Sequence, residues 1–290
     1  MIIDLHIHSK HSDGALAVTE ILNEAEKRNI RLMSITDHDS IEAQKDAIDL
    51  AKKKGINYLC GVELNVTFSH PRYNAGKSIS LDFLGYAFDP NSQRLRDKLK
   101  QIADYRIERA TKILENLNSE FEKEGRSQLT EEDFAKIQSS VDGVLGRPHI
   151  ADYLIKQGVV GTRQEAFDKY LVKCDVPKYS LYVEEAAKLV RTAGGKLVLA
   201  HPNDPHGTSL ATLTHSLSEQ TAIIADSMLD FIDGIECWHL RNDSQTTSHY
   251  VEFAEKNHLM MTGGSDCHQK PLVMGTVAIP PHVACQFDID

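Results

Sequence analysis

The sequence contains no C-x-x-C pair, and its five cysteines (Cys60, Cys174, Cys237, Cys267 and Cys285) are scattered and odd in number. Neither a zinc ribbon nor a disulfide framework is expected from them, and a reducing cytoplasm is the setting that fits. No apolar run is long enough to span a bilayer, so no membrane partner is expected. The opening MIIDLHIHS has neither the basic nor the apolar segment of a signal peptide. Long basic runs are missing too, and the formal net charge is −10. Stable binding to duplex DNA through its backbone is therefore not expected, while a local basic pocket could still hold a phosphate. Internal repeats and low-complexity segments are absent. What is left is 290 residues, 41% apolar and 26% charged, the composition of a soluble globular chain of one large or two ordinary domains.

The chain is organised around Asp4-Leu5-His6-Ile7-His8. This stretch follows Ile2 and Ile3 and reads as the end of a short buried strand, from which His6 and His8 leave on one face. A polar turn, Ser9 to Gly14, precedes a helix expected over 18–28. A strand at 32–35 ends in Thr36-Asp37-His38-Asp39. A helix over 41–54 stops at Gly55, and a strand over 57–62 delivers Glu63. This alternation predicts parallel strands in an α/β barrel or doubly wound sheet, with the candidate residues at the C-terminal strand ends. After a polar loop at 66–78 comes a strand at 79–86 that carries Asp82. The rhythm then breaks, and 92–180 reads as a helical insertion. Within it lie a helix start at Gly146-Arg147-Pro148-His149 and a capping box of Thr162 with Glu165. The rhythm returns with a helix over 183–192 and a strand at 196–200 that ends in His201-Pro202. A strand over 234–238 is followed by His239, and one at 259–262 ends in Gly263-Gly264-Ser265-Asp266-Cys267-His268. The expected domains are 1–91 with 181–290, and 92–180.

The imidazoles of His6, His8, His38, His201 and His268 and the carboxylates of Asp13, Glu63 and Asp266 thus gather at strand ends. For any single histidine the ordinary reading is a hydrogen-bonded core residue. For the whole set that reading fails, because so many unpaired buried polar groups would be very costly. Mixed nitrogen and oxygen ligands without thiolate suit Mn2+, Fe2+ or Zn2+. More than four ligands imply more than one ion, and Glu63, with two oxygens, is a natural bridge. Other residues stay open between two readings. Arg147 and His149 suit an anion at a helix start, or else Arg147 pairs with an acidic neighbour. Asp37 and Asp39 either orient His38 or cap the next helix. Cys267 reads as a packing residue.

The motifs Asp4-Leu5-His6-Ile7-His8-Ser9 with Ser12-Asp13-Gly14, Thr36-Asp37-His38-Asp39, Gly61-Val62-Glu63, Ala200-His201-Pro202 and Gly264-Ser265-Asp266-Cys267-His268 resemble those of the PHP (polymerase and histidinol phosphatase) domain superfamily. Leu84-Gly85-Tyr86, Gly146-Arg147-Pro148-His149-Ile150-Ala151 and Ala166-Phe167-Asp168-Lys169-Tyr170-Leu171 resemble its nucleotide phosphoesterase branch. That branch includes nucleoside 3',5'-bisphosphate and AMP phosphoesterases and a 5'-to-3' exoribonuclease. The resemblance implies an α/β fold, a distorted seven-stranded β/α barrel with the helical insertion over the active site. It also implies two to three divalent metal ions. By matching positions, His6, His8, Glu63 and Asp266 would hold one ion, Asp13, His38 and His268 another, and Glu63 with His201 the remaining one. The branch usually adds a histidine to that last ion, and this chain has Asp82 in its place.

The expected function is hydrolysis of phosphate mono- or diesters of nucleotides or short 5'-phosphorylated RNA. The ions would polarise the phosphate and lower the pKa of a bound water, whose hydroxide attacks phosphorus. His201, His239 and Asp266 are the catalytic candidates, and Arg147, His149 and His239 the candidate substrate contacts. An amidohydrolase-type barrel acting on a C–N or C–O ester bond would share H-x-H and a late aspartate. It would not explain Asp13, His38 and His268 together. A non-catalytic PHP scaffold would show degraded ligands, and only Asp82 departs from the pattern.

Overall fold

Residues 1–140 and 145–289 are described by the computed structural model. They form two units, Met1–Asp97 with Ser180–Asp290, and Lys98–Tyr179. The first unit begins with β1 (Ile2–Asp4), α1 (Val18–Lys27), β2 (Ile30–Met33), α2 (Gln44–Lys54) and β3 (Asn57–Tyr58). The amphipathic helices α1 and α2 bury Ile21, Leu22, Ala25, Ala47 and Ala51 against Ile7, Ile30, Met33 and Ile35. Gly55, at φ +65°, ends α2 in the left-handed region that a residue with a side chain avoids. The three strands pair in parallel in the order β1-β2-β3.

The next two strands depart from the parallel expectation. β4 (Gly61–Phe68) and β5 (Ile79–Tyr86) form an antiparallel pair in register over their whole length. The expected strand over 57–62 is instead split between β3 and β4, and Glu63 lies inside β4 rather than after a strand. The cause is legible in β4 itself. Val62, Leu64, Val66 and Phe68 are buried in period-2 alternation with Glu63, Asn65 and Thr67, which carries the strand on to Phe68. Because partners in an antiparallel pair share a face, the Asn65–Asp82 register puts Asp82 on the same face as Glu63.

Helix α3 (Gln93–Lys123) leads into the second unit, which continues with α4 (Glu131–Ser139), α5 (Arg147–Lys156) and α6 (Arg163–Ala166). Leu117, Phe121, Ile137, Ile150, Leu154 and Tyr170 form its own buried core. Thr162 caps α6 through Glu165 N–H, but the Glu165 carboxylate takes the N–H of Gly161 at 2.7 Å, so the expected reciprocal box is incomplete.

The first unit resumes with α7 (Val183–Thr192), β6 (Lys196–Leu199), α8 (Leu217–Ser227), β7 (Gly234–His239), α9 (Ser244–Lys256), β8 (Met260–Gly264) and α10 (His282–Cys285). The second sheet runs β4-β5-β6-β7-β8, with β5 and β6 antiparallel and β6-β7-β8 parallel. The described residues therefore hold eight strands in two sheets, where the resemblance implies seven in one barrel. Backbone bonds join the sheets at both edges. Leu5 N–H donates to Gly263 O at 3.1 Å and Asp266 N–H to His6 O at 2.8 Å. On the other side Asp39 N–H donates to Glu63 O at 2.7 Å and Glu63 N–H to Asp37 O at 3.2 Å. Gly264 is needed for the first closure, since a Cβ there would lie 2.2 Å from His6 Cβ. No helix of the described residues is long and apolar enough to cross a membrane.

Candidate metal centre

Extended backbone between β1 and the turn at Ser9 places His6 and His8 on one face, both fully buried, with their Nε2 atoms 3.1 Å apart. Two neutral imidazole nitrogens at that distance can share at most one proton, so a second electrophile is the natural partner for their lone pairs. Glu63 enters from β4. Its Oε2 has His38 Nδ1 at 3.1 Å, His8 Nε2 at 3.2 Å and His6 Nε2 at 3.4 Å around it, yet makes no hydrogen bond, although it is buried. Its Oε1 meets His201 Nε2 at 3.0 Å. Asp266 arrives from the end of β8, with His8 Nε2 at 3.3 Å and His6 Nε2 at 3.5 Å from its Oδ1. Asp13 lies 3.3 Å from His268 Nε2, 3.7 Å from His8 Nδ1 and 3.8 Å from His38 Nε2.

Ligand atoms lie mutually within 4.8 Å in five groups: His8, Asp13, His38 and His268; His6, His8 and Asp266; His6, Glu63 and His201; His38, Glu63 and Asp82; Asp204, His239 and Asp266. Glu63 takes part in two of them, as its paired oxygens allow. The donor set is imidazole nitrogen and carboxylate oxygen, and a buried oxygen faced by three nitrogens is what a bound cation would satisfy. The residues present fit divalent ions.

Electrostatics point the same way. Burial alone would push His8 down, but the Asp266 and Glu63 carboxylates beside its ring hold it up at about 10. His201, buried on the Glu63 carboxylate, is likewise raised to about 9. Burial would lift the carboxyl of Glu63, yet the charges of His38 and His6 keep it well below the usual carboxylate range. Asp266 is held well below that range against its burial by the charge of His6 and by the rings of His239 and His8 beside it. The centre thus keeps its carboxylates ionised and draws positive charge to them.

The framework behind these atoms is itself polar. Asp37 binds Ser9 N–H at 2.7 Å, Ser9 Oγ at 2.6 Å and Ser12 Oγ at 2.7 Å, which ties the turn after His8 to the end of β2. Ala43 occupies the N-cap of α2, so neither Asp37 nor Asp39 caps that helix. Asp4 takes Ser265 N–H at 2.9 Å and Gly275 N–H at 2.7 Å, fixing the loop of Asp266. Asp39, His201 and Asp266 sit at φ +49°, +22° and +52°, left-handed conformations that cost about 1–3 kcal/mol each and persist where the surroundings impose them. Cys267 packs in the apolar cluster beneath α1 and α2, and burial raises its thiol pKa, as suits a packing residue.

Two carboxylates beside the centre, Glu236 and Asp204, are not among the residues expected from the sequence. Glu236, fully buried in the middle of β7, binds His6 Nδ1 at 3.0 Å and His201 N–H at 2.8 Å. A charged residue inside the apolar run Gly234–Trp238 was its signal. Asp204, 1% exposed, pairs with Arg241 beside His239 and Asp266. His239 is buried at the end of β7, its Nε2 3.5 Å from Asp266 Oδ2. Arg147 and His149 lie in the second unit. There Arg147 pairs with Asp175 at 2.6 Å and stacks on Phe167, and His149 Nδ1 accepts Gly146 N–H at 3.0 Å.

The PHP domain family model matches residues 4–189. A 3',5'-nucleoside bisphosphate phosphatase of Chromobacterium violaceum is 28% identical over 279 residues, covering 92% of this chain and 87% of that protein. The 5'-3' exoribonuclease Rnm of Escherichia coli is 26% identical, covering 93% and 86%. Among solved structures, a candidate metal-dependent phosphoesterase of Bifidobacterium adolescentis superposes with a TM-score of 0.78 at 27% identity, over 98% of this chain and 94% of that one. An amidohydrolase of Chromobacterium violaceum, with sulfate bound and no metal, gives 0.76 at 27% identity, over 98% and 93%.

Glu236 holds His6 from behind, so Glu236→Gln should weaken metal binding by about 10- to 100-fold, the usual cost of losing a ligand's orienting partner. Calorimetric titration with Mn2+ measures this, and an unchanged affinity would refute the orienting role.

Proposed function

That the chain belongs to the PHP domain family is the premise from which we propose its function: a metal-dependent phosphoesterase that cleaves nucleotides or short 5'-phosphorylated oligonucleotides. The observation that carries this reading is Glu63 Oε2, buried among three imidazole nitrogens without a hydrogen bond. The relatives supply the substrate class, since a nucleoside bisphosphate and an RNA both carry phosphate on a nucleoside. The phosphatase and exoribonuclease relatives favour this reading over the second, hydrolysis of a C–N or C–O ester bond. The two bridged sheets are taken as a distorted PHP-type barrel.

Two to three ions of Mn2+, Fe2+ or Zn2+ are assigned as follows. His6, His8, Glu63 and Asp266 would hold one, Asp13, His38 and His268 a second, and Glu63, His201 and Asp82 the remaining one; the geometry groups Asp82 with Glu63 and His38, and His201 with Glu63 and His6. Such ions, when bound, supply Lewis-acid charge and lower the pKa of water. The chain's own residues do the rest. Glu63 and Asp266 stay ionised and anchor the centre, while Glu236 orients His6 and positions the backbone of His201. His239 Nδ1 accepts Arg241 N–H at 3.4 Å, and its Nε2 stands 3.5 Å from Asp266 Oδ2 at the edge of the centre. We therefore assign His239 as the group that hands a proton to the leaving oxygen. His201 is the less suited acid, because its Nε2 is engaged with Glu63.

Asp266→Asn should remove metal and activity together, because an amide replaces a charged oxygen. Elemental analysis and phosphate release beside an ester and amide panel decide it. A metal-free, fully active protein would sink the reading. Asp82→Ala should lose one ion or most turnover, whereas Asp82→His keeps substantial activity. Full occupancy and rate in Asp82→Ala would take Asp82 off the ligand set. Arg147 and His149 are proposed as substrate contacts of the helical unit. Arg147→Ala should cut kcat/KM for a nucleotide by about 10- to 100-fold with metal content unchanged, and unchanged kinetics on every phosphorylated substrate would limit Arg147 to its pairing with Asp175.

A further inference from the structure

Arg241 stands two residues beyond the end of β7, in a turn built to hold it still. Its N–H donates to His239 Nδ1 at 3.4 Å, and Asn242 bonds back to His239 O and Cys237 O, both at 3.0 Å. The guanidinium forms an ion pair with Asp204. Asp204 is held by bonds from its backbone and its side chain. Its N–H donates to His201 O at 3.0 Å, its carbonyl accepts Ser209 Oγ–H at 2.6 Å, and its Oδ1 accepts His206 N–H at 2.9 Å. Even the neighbouring glycine is shaped to it, since a Cβ on Gly207 would come within 2.8 Å of Asp204 Oδ2. A carboxylate with 1% exposure needs a counter-charge, and Arg241 provides one while its own side chain stays 44% exposed. The same carboxylate lies within 4.8 Å of ligand atoms of His239 and Asp266. One buried group therefore joins a half-exposed guanidinium to the edge of the metal centre.

We infer that Arg241 is a phosphate-binding residue of this site and that Asp204 is the positioning residue that aims it. The inference rests on the phosphoesterase reading and names the cation that meets its anionic substrate. A guanidinium carries five N–H donors in a planar fork, and one carboxylate occupies at most two, so donors are left for phosphate oxygens. Pairing in advance also removes rotamer freedom that a loose arginine would lose on binding. The centre is rich in ionised carboxylates that repel a phosphate dianion, and a fixed cation at its edge offsets that repulsion.

The test titrates Mn2+-loaded protein with inorganic phosphate, by calorimetry and as a competitive inhibitor. Arg241→Ala should weaken phosphate binding by about 10- to 100-fold, the range of one charge-assisted contact, with metal content unchanged and Tm lowered, because Asp204 loses its counter-charge. Arg241→Lys should restore part of the loss, since the charge stays and the fork does not. Asp204→Asn should keep every metal equivalent and weaken phosphate binding less than Arg241→Ala does. Two results would overturn the inference: phosphate binding in Arg241→Ala equal to that of the unaltered protein, or loss of a metal equivalent in Asp204→Asn, which would make Asp204 a ligand. Phosphate binding is read without turnover, so an unaltered protein that binds phosphate but cleaves no ester counts against the functional reading alone.

Discussion

Burying Glu63 is the constraint on which the first unit depends. A carboxylate with 1% exposure, kept ionised, must be met by positive charge or by donors from every side. The chain meets it with His6 and His8 beyond β1, His38 beyond β2 and His201 beyond β6. Each of those residues is fixed by where its strand ends. The strand ends are fixed in turn by the backbone bonds that join the two sheets at β1–β8 and at β2–β4. A shift of one residue in either seam would turn one of these side chains away from the centre, because side chains alternate faces along a strand.

The acidic residues divide into two sets by what they hold. Asp13, Glu63 and Asp266 face imidazole nitrogens. Asp4, Asp37 and Glu236 take backbone N–H groups, serine hydroxyls or the far side of the His6 ring, and so make the loops rigid. This second set explains how Asp39, His201 and Asp266 can sit at positive φ without a glycine's freedom. Strain concentrated at three strand ends is offset by the bonds around them, and the side chains gain a fixed direction.

Much of this was legible along the chain. The histidines and carboxylates follow short apolar runs, and the run of each strand is local. The helices α1, α2 and α7 show their buried faces in the spacing of Ile21, Leu22 and Ala25, of Ala47 and Ala51, and of Ala186, Ala187 and Val190. Gly55 and Thr162 mark helix ends by backbone chemistry that needs no distant partner. The alternation of β4 is local too and runs on to Phe68, beyond the strand end expected at Val62 and into the loop expected from residue 66.

The sequence by itself determined which residues have ligand chemistry and that they fall at or near strand ends, because both depend on a residue and its near neighbours. Only the tertiary structure decided that β4 and β5 run antiparallel, which puts Asp82 on the face of Glu63. It alone set Glu236 behind His6 across 230 positions, and Arg241 on Asp204 across 37. Those contacts have no local signature. They arise where a buried charge must find a partner among all the groups that folding brings near it, and that choice is made by packing in three dimensions.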